Sequence, residues 1–164
     1  MAITSITPEF AVSHWIGPAE LAAAAKAGFR TVINNRPDGE EAGQQPTEEA
    51  AAEAARLGLV YRHIPTTMQT VFTDPVVGAM ADSLEHDPGP ILAYCKSGTR
   101  SAIAWAAASA HARPVDEIMA ELRAAGLKLA HLRDDLDSQA DRKHWQTNAS
   151  ATQGSSSASG RPAP

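Results

Sequence analysis

The chain has 164 residues, 43% of them hydrophobic and 20% charged, which suffices for one domain with a buried core and not for two. A formal charge of −5 excludes the basic footprint of a nucleic-acid binder or a protein held on an anionic membrane. Any anion must then be captured locally, by a few placed donors. One cysteine excludes an intramolecular disulfide and a multi-cysteine zinc site, and the six histidines have no His-x-His or His-Glu-x-x-His spacing, so neither metal nor other cofactor is expected.

The first ten residues lack the basic start and long apolar stretch of a secretion signal. The longest weakly polar run, Ser101 to Ala110, is about half of what a bilayer requires. A soluble, cytoplasmic protein is expected, in a compartment where a free thiol survives.

Short extended runs alternate with helical ones along the chain. Phe10-Ala11-Val12 reads as a weak first strand. Pro18 to Ala27 reads as a helix, with proline in its first turn and Gly28 where a left-handed C-terminal cap is wanted. Thr31 to Asn34 is a β-branched strand, followed by a loop to Pro46 that contains the turn signature Arg36-Pro37-Asp38-Gly39. Thr47 is expected to cap a helix running to Leu57. Val60 to Ile64 is a third strand, and Asp74-Pro75 is expected to cap a helix reaching about Leu84. Ile91 to Tyr94 is a continuous apolar run, as in the buried strands of parallel sheets. Helices follow from about Arg100 to Ala110, from Pro114 to near Gly126, and over 128–146. Residues 147–164 are rich in Ser, Ala, Gly and Pro, and are expected to form a disordered tail after a catalytic domain spanning 1–146. The pattern predicts a single-domain α/β fold, a mainly parallel sheet of four to five strands flanked by helices, with ligands beyond the carboxyl ends of the strands.

Cys95 falls at such an end, in the segment Tyr94-Cys95-Lys96-Ser97-Gly98-Thr99-Arg100-Ser101. A buried strand delivers the cysteine into a short loop, and a helix starts directly after it. Backbone N–H groups of the loop and of the first helical turn can then converge on one anion. Gly98 permits a positive φ. Lys96 and Arg100 add charge, and the arginine fork can hold two oxygens of a tetrahedral oxyanion. Such surroundings take a thiol from a pKa of ~8.5 to roughly 3.5–7.5, which makes Cys95 a nucleophile aimed at an anionic substrate. Ser97, Thr99 and Ser101 complete the set of candidate binding residues. Ser101 can hydrogen-bond the sulfur or cap the helix. Arg36 and Asp38, in the loop after the second predicted strand, are candidates for a lid or a general acid. His63 is a candidate for lining the site.

This segment resembles the active loop of cysteine-based protein phosphatases and of rhodanese sulfurtransferases. Residues 1 to about 135 look more closely like the phosphatase-like domain family named after beta-lactamase-hydrolase-like proteins. The supporting stretches are Gly28 to Glu40, Tyr61 to Pro65 and Ala93 to Ser101. The resemblance implies a cysteine-based dual-specificity-phosphatase-like fold with Cys95 and Arg100 catalytic, in a family whose members carry both phosphatase and sulfurtransferase labels.

Two features point to sulfur transfer. Four residues separate Cys95 from Arg100, as in rhodaneses, where tyrosine phosphatases have five, and a tighter amide ring suits a persulfide sulfur. The loop from Pro65 to Thr70, where the resembled phosphatases place an acid, holds no carboxylate to protonate a leaving oxygen. The expected function is therefore transfer of sulfane sulfur through a Cys95 persulfide, from a small anionic sulfur donor to a thiol acceptor. The alternative is a tyrosine- or dual-specificity-type phosphatase acting on a phosphorylated substrate through a phosphocysteine. A second alternative is a non-catalytic module that binds an anion or a phosphopeptide.

Overall fold

A computed structural model describes residues 1–142. The tail expected at 147–164, and the end of the helix expected over 128–146, lie outside the described residues. Five strands form one sheet: β1 (Ile3–Thr7), β2 (Phe10–Ser13), β3 (Thr31–Asn34), β4 (Val60–His63) and β5 (Ile91–Tyr94). Their spatial order is β1-β2-β5-β3-β4. β2, β5, β3 and β4 run parallel, and β1 pairs antiparallel with β2. The helices are α1 (Pro18–Lys26), α2 (Thr47–Arg56), α3 (Asp74–His86), α4 (Thr99–Ser109), α5 (Val115–Ala124) and α6 (133–142).

The strands divide their side chains between two cores, as the period of two requires. Phe10, Val12, Ile33, Ile91 and Ala93 face one core, built with α3, α4, α5 and Leu136. Ala11, Val32, Leu92 and Tyr94 face the other, with Leu21 and Ala24 of α1 and Ala54 of α2. This two-sided burial explains why Ile91 to Tyr94 reads as an unbroken apolar run. Helix α4 is buried from Ser101 to Ser109. Its alanines let it lie close against the sheet and α3, and Trp105 stacks on Phe10 with ring centroids 5.7 Å apart.

The chain departs from its expected elements at three points. Strand β1 was not anticipated: Ile-Thr-Ser-Ile-Thr is β-branched, but only Ile6 is buried and the pairing is irregular between Ser5 and Thr7. The position before α2 is Pro46, with Thr47 already helical. The position before α3 is Thr73, and Asp74 sits in the first turn, 3.4 Å from Arg142 in an ion pair. Asp74 therefore acts through charge at the helix start and not as a hydrogen-bonding cap. Among the described residues, no helix is long and apolar enough to cross a membrane.

The topology fixes where a ligand can sit. The chain builds β2, β3 and β4 outward, then returns to place β5 between β2 and β3. The carboxyl end of β5 is thus walled by the ends of two neighbouring strands, the crevice that open parallel sheets use for binding.

A charged contact away from this crevice ties α3 to β4. Asp87, at the end of α3, accepts from Arg62 Nε at 2.8 Å and from Ser83 Oγ at 2.6 Å. The Arg62 guanidinium, aided by the Ser83 hydroxyl, holds the Asp87 carboxyl below its ordinary value of 3.8. A depressed folded pKa contributes stability above the unfolded value and loses it as pH falls through the folded one. Asp87→Asn is expected to cost about 1 kcal/mol at pH 7, since Arg62 is half exposed and screened. The deficit relative to the parent chain should shrink on acidification below the ordinary aspartate range, which thermal melts at several pH values will show.

Candidate active site

Three strand ends meet at Cys95. From β3, the Asn35 N–H donates to Tyr94 O at 2.8 Å, and Asn35 O accepts from Thr66 N–H at 3.0 Å, which draws in the segment after β4. From β2, the Trp15 N–H donates to Lys96 O at 3.2 Å. Gly98 has φ +90°, and a Cβ there would lie 3.3 Å from Ser13 O. The positive φ and this close approach together make glycine the residue for the position. The turn brings the Gly98 N–H to 3.1 Å from Cys95 Sγ. Helix α4 begins at the next residue, so its first-turn amides, which have no intrahelical acceptor, open toward the same loop.

Arg100 stands beside this sulfur, and its donors divide in an informative way. Nη1 donates to Glu40 Oε2 at 2.7 Å and to Thr66 O at 2.8 Å, and Nη2 donates to Glu40 Oε1 at 2.8 Å. A guanidinium has five N–H groups in a fixed fork. These three bonds use both Nη1 hydrogens and one on Nη2. The Nε–H and the second Nη2–H, which share one edge, have no hydrogen-bond acceptor oxygen or nitrogen among the described residues. Two parallel donors on one edge have the geometry to hold two oxygens of an oxyanion. Glu40 acts as its positioning residue: hydrogen bonding to Glu40 raises the Arg100 pKa above its already high ordinary value.

The loop of Arg36 and Asp38 lies across the site. Arg36 is 4% exposed. Its Nε donates to Glu40 Oε1 at 3.1 Å and its Nη2 to Glu41 Oε2 at 2.6 Å, while Glu41 also pairs with Lys96 Nζ. Bonds to Arg100 and then Arg36 hold the Glu40 carboxyl below its ordinary value; bonds to Lys96 and then Arg36 do the same for Glu41. The loop therefore closes onto both cations of the cysteine loop. Cys95 is fully buried.

The remaining candidates are placed as follows. Asp38 Oδ1 accepts from the Thr47 N–H at 3.0 Å, so its carboxylate serves the start of α2. Ser97 Oγ donates to Thr99 Oγ1 at 3.2 Å on the exposed side of the loop. Ser101 Oγ is buried and has no hydrogen-bond partner among the described residues; it neither bonds the sulfur nor caps α4. His63 Nε2 lies 2.9 Å from Arg36 O, an acceptor, so the ring donates there and braces the same loop. Tyr94, beneath Cys95, shares its hydroxyl with Tyr61 at 3.2 Å. Burial, reinforced by Tyr61, pushes its pKa well above the phenol range, so it stays neutral. Glu40, Glu41 and Thr66 were missed as site residues. Two adjacent acids in a loop, opposite a cysteine loop with two bases, carry a charge-complementarity signal that names the first two.

A cysteine at the carboxyl end of the central strand, an amide on its sulfur and an arginine fork at the start of the next helix define a cysteine-based phosphatase fold. The chain belongs to the family described as beta-lactamase hydrolase-like protein, phosphatase-like domain, whose profile matches residues 2–112. A beta-lactamase hydrolase-like protein of Xylella fastidiosa (strain Temecula1) is 35% identical over 106 residues, 65% of this chain and 24% of the relative. The chain thus spans about a quarter of the length of that curated relative. A candidate phosphatase from Neisseria meningitidis Z2491 superposes with a TM-score of 0.71 at 30% identity, covering 85% of this chain and 99% of that one. The core catalytic domain of the Saccharomyces cerevisiae PP-IP phosphatase SIW14, solved with citrate, shares the fold at 13% identity and a TM-score of 0.58, covering 89% and 92%.

These likenesses overturn the expectation of sulfane-sulfur transfer. The relative similar over nearly its whole length is a candidate phosphatase, and the fold is shared with a further phosphatase. The inference from loop length failed because it counted only amides. The loop supplies one N–H to the sulfur, and Arg100 beside it carries two further donors that do not depend on a fifth loop residue.

Proposed function

We propose that the chain is a cysteine-dependent phosphoric monoester hydrolase. The observation that carries this reading is the Nε–Nη2 edge of Arg100, which has no oxygen or nitrogen partner among the described residues while Glu40 and Thr66 occupy the rest of the guanidinium. In the first step the Cys95 thiolate attacks phosphorus. The P–S bond forms, the ester P–O bond breaks, and the leaving oxygen departs with the bonding pair. In the second step water attacks phosphorus, the P–S bond breaks, and inorganic phosphate and the thiolate are released. The amides of the loop and of the first turn of α4, with Arg100, hold the equatorial oxygens through both steps. Lys96, Ser97, Gly98 and Thr99 shape that cradle.

None of the three loop carboxylates is placed as a proton donor to the leaving oxygen: Lys96 and Arg36 hold Glu41 below its ordinary value, so it is ionised at neutral pH. Asp38 serves the Thr47 amide, and Glu40 is ionised between two guanidiniums at neutral pH. Substrates with acidic leaving oxygens, which depart without a proton, are therefore favoured. The test is release of phosphate from an aryl phosphate and from an alkyl phosphate under identical conditions. Turnover of the aryl ester, with the alkyl ester much slower, supports the reading; no phosphate from either overturns it.

A further inference from the structure

Two carboxylate groups lie against the cations of this site, and they mark different positions. The Glu40 carboxylate sits end-on to Arg100 and sets its orientation. The Glu41 carboxylate lies one guanidinium further along, between Arg36 Nη2 at 2.6 Å and Lys96 Nζ. Arg36 thus bridges them, with Nε toward Glu40 and Nη2 toward Glu41. Its guanidinium is 4% exposed and held by the fold, whereas Glu41 and Lys96 are about half exposed, at 48% and 59%. A buried cation beside an exposed anion is the arrangement of a seat with a displaceable occupant.

We propose that Arg36 and Lys96 form a second anion subsite beside the phosphoryl cradle, filled by Glu41 at rest and by a second phosphate of the substrate during binding. The substrate class is then a compound whose scissile phosphoryl group adjoins another phosphate. This inference rests on the hydrolase reading and deepens it. The lack of a proton donor agrees with it independently, because a phosphate leaving group departs as a stabilised anion and needs no acid. Lys96 neighbours Cys95 in the chain and Arg36 shares Glu40 with Arg100, so both subsite cations are tied to the phosphoryl-binding machinery.

Calorimetric titration with pyrophosphate and with orthophosphate tests the subsite without requiring turnover. The full chain is expected to bind pyrophosphate at least about tenfold more tightly than orthophosphate, a tenfold ratio being about 1.4 kcal/mol. Lys96→Gln should reduce that ratio to about threefold or less, Lys96→Arg should restore it, and Glu41→Gln should tighten pyrophosphate binding by removing the resident carboxylate. Both exchanged side chains are exposed, so each variant is expected to fold. Orthophosphate binding with no preference for pyrophosphate, or a ratio unmoved by Lys96→Gln, overturns the subsite and leaves the hydrolase reading standing. Binding of neither anion overturns both.

Discussion

Replacing Cys95 by serine is expected to lower kcat on an aryl phosphate on the order of 10⁴-fold, because an alcohol is not ionised where a thiol is and the covalent route closes. The fold should survive. Serine is close in volume, and its Oγ can accept the Gly98 N–H that now meets the sulfur at 3.1 Å. The measurement is initial rate together with a thermal melt. A Tm within a few degrees of the parent and a rate near background are the expected pair. A variant that keeps a tenth or more of the parent rate would show that Cys95 is not the nucleophile, with the comparison made against the ~10²–10³-fold effects typical of lost electrostatic donors.

Arg100→Lys is expected to lower kcat/KM by about 10²–10³-fold, although charge is conserved. An ammonium cannot bond Glu40 twice, reach Thr66 O and still present two parallel donors to a phosphoryl group. Here the three occupied positions and the two open ones exhaust a guanidinium. The loss should fall on kcat and kcat/KM alike, since the clamp grips oxygens whose charge and geometry change in the transition state. A loss confined to KM would instead assign Arg100 to ground-state binding alone. Glu40 keeps a partner in the variant, because Arg36 Nε stays within hydrogen-bonding distance. Loss of fold is therefore not the expected cause.

The sheet was legible in the sequence where both faces of a strand are buried. Ile91 to Tyr94 could be read as buried, and Cys95 placed at its carboxyl end, because no polar residue interrupts the run. β1 was not legible, because an edge strand with one buried residue offers little alternation to read. Gly28 and Gly98 were placed correctly at positive φ, a backbone demand that few other residues meet. The cysteine loop and Arg100 were likewise apparent from local order alone. What joins them to the loop after β3 was not: the bonds from Arg100 to Glu40 and from Lys96 to Glu41 span sixty and fifty-five residues. No local pattern encodes such a pairing, and only the insertion of β5 beside β3 brings the two loops together. For the same reason Asp38, an acid by residue type, proved to be the acceptor for the start of α2. The reaction class was misread because loop length and the missing acid were taken to decide it, and the phosphatase neighbours overturn that reading.

The central claim is that phosphorus passes through a covalent bond to Cys95. The direct measurement is mass spectrometry of the protein, quenched in denaturant within a turnover of an aryl phosphate and digested without exposure to acid. The account predicts one phosphoryl group on the peptide that contains Cys95, absent from Cys95→Ser. Continued turnover with that peptide unmodified, or the phosphoryl group found on another residue such as His63, would contradict it.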